Sequence, residues 1–448
     1  MDKVKFTRIG FILATVGSAV GLGNIWKFPY MTGEYGGGAF VLVYLVTIFL
    51  IGMSMLIAEI FLGKHGDSDS VTVFEKVGNE NKIPSLKYAG FLSFNGLIIM
   101  SFYSVVIGWI LYYIWSAFNG LPNSIGEAEK YFNTMLRDEV VLQIGFHTFA
   151  TLTVLHFVNG GIKKGIELLN NILIPLLILT LVSLLFYSMS FEAFSQSFDF
   201  LFSFNFDKLN SEAVVRAIGH SFFTVSLGMG AIMTYSASMP KSGKIVKSAM
   251  TIVFFDTFIA LVAGLIIFTF LFQFGEEPAK GVGLAFISLP FIFSQMGEIG
   301  VYISLIFLFS LLMAGLTSSV SLVEPAVLYM ENRLNVSRIK ATFIMGGIYY
   351  FLGIIAILSY SGSWGEVFSI FGTPIFDILE KSSDMVLIPT FVIIIALTVG
   401  YGMRDHLSEL REELGGTLFS IWLFSIRVIT PIAILFFVLN LFGVIELG

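Results

Sequence analysis

Residues 17–30 read Gly17-Ser18-Ala19-Val20-Gly21-Leu22-Gly23-Asn24-Ile25-Trp26-Lys27-Phe28-Pro29-Tyr30. They lie in an apolar stretch, Ile9–Tyr30, of the roughly 20 residues a helix needs to cross a bilayer. Each glycine inside a helix costs about 1 kcal/mol relative to alanine, so three in seven positions mark a helix built to break or to pack closely. A second such run, Ser226-Leu227-Gly228-Met229-Gly230, lies in the apolar stretch Val214–Met239, five spans further on. Close helix packing through small residues would account for either run alone. As a pair, at corresponding places in two five-span halves, they point to an inverted-repeat transporter whose binding site lies where both helices break. Broken helices free N–H groups for an anionic group and carbonyls for a cation. At membrane depth such backbone is tolerated only around a protein-lined or watery cavity.

The rest of the chain fits that reading. Of its 448 residues 56% are hydrophobic and only 12% charged, against about 25% charged in an average soluble domain. A single soluble core also stops growing near ~250–300 residues, so the composition implies a polytopic membrane protein. The remaining apolar spans are Phe40–Leu62, Tyr88–Phe118, Val140–Val158, Leu168–Met189, Ser248–Phe274, Gly300–Tyr329, Ala341–Tyr360, Ile375–Tyr401 and Leu418–Leu441, giving eleven in all. Gly281–Gly297 is short, holds three glycines and Pro290, and reads as a re-entrant or surface hairpin. With eleven spans and the N-terminus inside, 17 Lys and Arg fall on inner segments and four on outer ones, as the positive-inside rule requires. A twelfth span would put Arg333, Arg338 and Lys340 outside, so the C-terminus is expected outside. The stretch behind Met1 ends at Trp26-Lys27 without a small-residue cleavage site and reads as a retained span rather than a signal peptide.

Several function classes drop out. There is no cysteine, hence no disulfide and no thiolate chemistry. The acidic balance, 31 Asp and Glu against 25 Lys and Arg without a basic run, argues against nucleic acid. The chain holds no G-x-S-x-G, H-E-x-x-H or P-loop, and its five histidines are scattered. Asp256, inside the seventh span, stands out, because a bare charge there costs roughly 2.5–3.5 kcal/mol on insertion scales. It implies either an ion pair, with Arg216 or His220 as partners, or a cation site.

The run 17–30 followed by Glu34-Tyr35-Gly36-Gly37-Gly38-Ala39-Phe40 resembles the first-helix signature of the neurotransmitter:sodium symporters. Residues 222–235 (FFTVSLGMGAIMTY) resemble their sixth helix and 314–325 (AGLTSSVSLVEP) their eighth, while 165–175 has the Gly-nine-residues-Pro spacing of their fifth. The resemblance covers nearly the whole chain in order. It implies an all-α polytopic fold of five plus five inverted helices with helices 1 and 6 broken, forming one transporter domain over 1–448. The first repeat would span 8–190, the second 212–402, and an additional eleventh helix 416–443.

The same resemblance implies two Na⁺ sites and a substrate site. The first Na⁺ would be held by the Ala19 carbonyl, Asn24, Thr224 and Asp256, together with the substrate carboxylate. The second would take the Gly17, Val20 and Ala314 carbonyls with the Thr317 and Ser318 hydroxyls. Sodium, a hard cation, suits these all-oxygen sets. The substrate pocket would comprise Ser18, Ala19, Leu22, Gly23, Ile99, Tyr103, Phe223, Thr224, Ser226, Met229, Ser318 and Leu322, with Tyr103 on the substrate carboxylate and Phe223 as lid. Lys27 and Glu380 stand where the family has an arginine–aspartate outer gate. Glu59 and Glu324 are expected to support the unwound part of helix 1. The family's inner-gate positions read Asp2, Lys5 and Asn332 here, so Lys3 or Lys5 with Glu331 is the expected substitute. Chloride-dependent relatives carry asparagine at the Asp256 position, and their chloride pocket corresponds to Tyr44, His220, Thr224, Asp256 and Ala260.

The sequence thus predicts a sodium-coupled importer of a hydrophobic or aromatic amino acid, not an enzyme, in a cytoplasmic membrane and without chloride. Its partners would be a small amino acid and the lipid bilayer, with no nucleic acid; the oligomeric state stays open. The rival readings are a proton-coupled or exchange-type transporter of the same fold, and a membrane sensor or channel.

Overall fold

The computed structural model describes residues 4–204, 209–277, 281–441 and 443. Among them nine helices are long and apolar enough to cross a membrane, from Gly38–Gly66 to Ser408–Asn440. A tenth span is the pair Arg8–Ala19 and Gly23–Glu34, bent by 49° at its break. The eleventh is divided more widely, into Ser211–Thr224 and Ala231–Ala237. The stretch read as a hairpin instead contains an apolar helix, Leu284–Gln295, about 18 Å long at 1.5 Å per residue and so too short for a bilayer core of ~30 Å. It is a buried element rather than a surface one: Phe286 stacks on Phe132 at 5.7 Å and meets the edge of Trp109 at 6.0 Å.

Helices in lipid gain little from mutual apolar burial, so close backbone approach holds them together. Gly96 of span 3 faces the Leu322 carbonyl of span 8, where a Cβ would sit 2.2 Å from the oxygen. Gly63 of span 2 meets the Met233 carbonyl behind the span 6 break in the same way, at 2.0 Å. Spans 3, 4, 8 and 9 pack on one another as a scaffold. Span 1 leans on it and on spans 5 and 7, and span 6 packs against spans 2 and 8.

Both breaks follow from local chemistry. In span 1 the helix ends at Val20 in an extended conformation (φ −72°, ψ 101°) and resumes through a wide π-helical turn, Gly23–Lys27, before Pro29 in the first turn of Phe28–Glu34. In span 6 three residues out of five are left-handed: Ser226 (φ 54°), Gly228 (φ 67°) and Gly230 (φ 73°). Glycine takes that region at no steric cost. Serine does not, and Ser226 is held there by donating to the Ser18 carbonyl at 2.6 Å. One break therefore fastens the other.

Candidate substrate and ion site

The two breaks enclose a cavity with about 20 Å³ of free volume, room for about one water. All twelve residues expected in the substrate pocket line it, together with Gly21 and Asn24. Ile99, Met229 and Leu322 form an apolar wall. At the polar end the Tyr103 hydroxyl accepts from the Leu22 N–H at 3.2 Å, and Gly21 lies so close that a Cβ there would be 3.0 Å from that oxygen.

Beside the cavity, Asn24, Thr224 and Asp256 are knitted together by three elements. Asn24 comes from the span 1 break, where its Oδ1 accepts from the Gly21 N–H at 3.0 Å. Its Nδ2 donates to Asp256 Oδ1 at 2.7 Å and to Thr224 Oγ1 at 3.0 Å. Thr224, the last residue of the first half of span 6, donates to the Asp256 carboxylate at 3.0 Å. Tyr44 of span 2 donates to Asp256 Oδ2 at 3.2 Å. Asp256 is fully buried and makes no ion pair among the described residues, so the alternative of a structural pair falls away. Arg216 pairs with Glu212 at 3.2 Å, and neither ring nitrogen of His220 has a hydrogen-bond partner. His220 lies against Phe28 and Tyr44 instead. Among the described residues no group of three His, Asp or Glu side chains is placed to hold a metal ion. One carboxylate among neutral oxygens suits a monovalent cation better than a divalent one.

The second expected set also converges. Ser318 Oγ donates to the Gly17 and Val20 carbonyls at 3.0 and 3.2 Å, tying span 8 to the end of the first helix. Thr317 bonds back to its own helix, to Met313 and Ala314 at 3.0 and 3.1 Å, a habit of buried threonine that leaves its oxygen lone pairs available.

Several expected roles change. Lys27 pairs with Asp384 at 2.9 Å, not with Glu380; Asp384 lies one turn further along span 10, in the wide turn Ser383–Leu387. Lys27 Nζ also sits 4.3 Å from the centre of the Phe223 ring. Phe223 borders both the inner cavity and an outer one of about 370 Å³, so its ring lies between the two, with the ion pair lining the outer one. Glu59 serves the span 6 break rather than span 1, accepting from the Gly228 N–H at 2.7 Å. Glu324 serves neither: Arg338 engages it at 2.5 Å and Glu331 at 2.7 Å. With Glu331 committed, Lys5 pairs with Asp67 at 3.5 Å instead, while Asp2 and Lys3 lie outside the described residues.

The sequence profile of the sodium:neurotransmitter symporter family matches residues 4–136 and 134–447. The chain is 33% identical to the sodium-dependent transporter YhdH of Bacillus subtilis over 98% of both chains. It is 31% identical to a sodium-dependent transporter of Haemophilus influenzae over 97% of both. The crystal structure of MhsT in complex with L-phenylalanine superposes with a TM-score of 0.87 at 37% identity, covering 98% of this chain and 99% of that one. With its spans, its two breaks and these relatives in agreement, the chain belongs to the sodium:neurotransmitter symporter family and is a multi-pass, sodium-dependent membrane transporter.

Proposed function

We propose that this transporter imports a hydrophobic or aromatic amino acid with two Na⁺ ions and without chloride. The observation that carries the reading is the meeting of both helix breaks at one cavity, flanked by the Asn24–Thr224–Asp256 cluster. The substrate amino group would take span 6 carbonyls, and its carboxylate the Tyr103 hydroxyl and the first Na⁺. Ile99, Met229 and Leu322 would take the side chain under Phe223. The second Na⁺ would lie among Gly17, Val20, Ala314, Thr317 and Ser318. MhsT, crystallised with L-phenylalanine, supports a substrate of this class.

The two repeats are assigned to 8–190 and 212–402, with 416–443 as the added helix, in a bacterial cytoplasmic membrane. The excess of Lys and Arg on one set of segments supports an inner N-terminus and an outer C-terminus. Lys27–Asp384 with Phe223 would form the outer gate, with Glu380 lending further negative charge.

Uptake into proteoliposomes with an inward sodium gradient tests the reading. Two Na⁺ with a zwitterion gain roughly 4.6 kcal/mol from 100 mV, at ~2.3 kcal/mol per charge, so an interior-negative potential should accelerate uptake. Binding that is indifferent to replacing sodium with potassium, or uptake driven by a proton gradient alone, would overturn it.

Side-chain choice should follow Met229. Methionine is flexible enough to swing aside for a large group, whereas a phenylalanine there would crowd the wall, at a typical cost of about 1–3 kcal/mol. Met229→Phe should weaken aromatic substrates by about tenfold or more and favour smaller aliphatic ones. Competition uptake with the twenty amino acids reads this; a parent that prefers glycine or a dicarboxylic acid would refute the pocket assignment.

A further inference from the structure

A second set of charges lies at the opposite end of span 1 from Lys27. Arg8 opens the helix, and Lys244 and Lys247 stand at the start of span 7; all three line one small cavity of about 70 Å³. Lys244, Lys247 and Thr251 also border a larger adjoining cavity of about 580 Å³. Among the described residues none of the three cations makes an ion pair, although carboxylates are close. Glu409 is engaged by Lys64 at 2.5 Å. Glu413 accepts from the N–H groups of Ile245 and Val246 at 3.0 and 2.9 Å, so its charge serves the first turn of span 7.

Beyond the cations the outer face of span 7 turns apolar. Met250, Phe254 and Phe258 are 55%, 60% and 38% exposed, and their spacing of four places them in one stripe beneath Lys247. The rings of Phe254 and Phe258 stack with only 9° between their planes. From Lys247 to Phe258 the stripe runs about 16 Å at 1.5 Å per residue, which is the depth of one leaflet of a ~30 Å hydrocarbon core. A basic head over an apolar track one leaflet deep has the shape of a single phospholipid.

We propose that this groove is a binding site for an anionic phospholipid of the inner leaflet. Its phosphate lies among Arg8, Lys244 and Lys247, and one acyl chain runs along Met250, Phe254 and Phe258. The phosphate then bridges span 1 to span 7. On its other flank the start of span 1 is already held by Glu167 of span 5, which accepts from the Thr7 hydroxyl and the Thr7 N–H at 2.6 and 3.2 Å. The lipid would supply the second tether of a segment whose far end carries the Gly17 and Val20 carbonyls.

The test is retention of phosphatidylglycerol by the full chain, purified from phosphatidylcholine vesicles containing it and read by native mass spectrometry. It needs no transport, so it stands or falls apart from the substrate assignment. The parent should retain phosphatidylglycerol in preference to phosphatidylcholine. Near an anionic headgroup each cation contributes about fivefold, so Lys244→Gln with Lys247→Gln should weaken retention roughly thirtyfold and Arg8→Gln about fivefold. All three side chains are exposed, and the thermal transition of each variant in lipid-free detergent should match the parent. Equal retention by parent and double variant, equal retention of the two lipids, or displacement of the lipid by inorganic phosphate would each overturn the proposal.

Discussion

Asp256→Asn is expected to abolish sodium-driven uptake in gluconate medium and to recover it, if at all, only when chloride is supplied. The carboxylate offers two acceptor oxygens to the Asn24 amide, the Thr224 hydroxyl and the Tyr44 hydroxyl. An asparagine keeps one acceptor and turns an NH₂ towards donors. Asn24 cannot rotate its own amide to compensate without giving up the Gly21 N–H. Hydrogen bonds to a charged group contribute roughly 1.5–3 kcal/mol each, so losing one together with the ion's counter-charge should lower apparent sodium affinity by at least ~100-fold. A chloride ion could restore the charge, and the unpartnered His220 ring with the Tyr44 hydroxyl offers it donors. The parent should transport equally in gluconate and chloride. A parent that needs chloride would remove Asp256 from this role. If the carboxylate returns protonated, proton counter-movement would cut the charge moved per cycle from two to one.

Gly228→Ala should be strongly damaging although it adds a single carbon. Gly228 sits at φ 67°, and an added Cβ would lie 2.8 Å from the Ile388 carbonyl and from a Val392 methyl of span 10. Left-handed backbone costs alanine about 1–2 kcal/mol; the clash adds to this and pulls the N–H from Glu59. A loss of roughly 3 kcal/mol or more is expected, read as a large fall in the thermal transition in detergent together with loss of substrate binding. Gly347→Ala is the control, since nothing lies within 4 Å of its Cβ position. Equal behaviour of the two variants would show that the span 6 break tolerates a side chain.

Much of this site was legible because glycine runs and hydroxyl clusters are short-range signals. Residues 17–24 and 226–230 announce both breaks, and the twelve residues that the family resemblance implied for the pocket line one cavity. The failures share a physical origin. Choosing Asp384 over Glu380 for Lys27 depends on how one helix is phased against another, and a π-helical turn at Ser383–Leu387 alters that phase by one residue without disturbing the apolar pattern. Span 10 carries another such turn at Thr398–Gly402 and span 2 one at Ile48–Gly52, equally silent in sequence. Glu59 and Glu324 are visible as intramembrane carboxylates, but their partners, the Gly228 N–H and Arg338, are set by packing across 169 and 14 residues of chain. A lone buried acid says that a partner exists, not where it is.

The first halves of spans 1 and 6 end at Ala19 and Thr224, both on the cavity wall. A helix end carries about half an elementary charge from its aligned peptide dipoles, negative at the carboxyl end. Two such ends deliver roughly one negative charge to the cavity from backbone alone. That charge has no proton to gain and no side chain to lose. Acid that neutralises a carboxylate leaves it standing, and so does any substitution that preserves the two breaks. Whatever cation affinity survives in an Asp256→Asn variant in acid therefore comes from the peptide groups together with the neutral oxygens of Asn24, Thr224, Thr317 and Ser318.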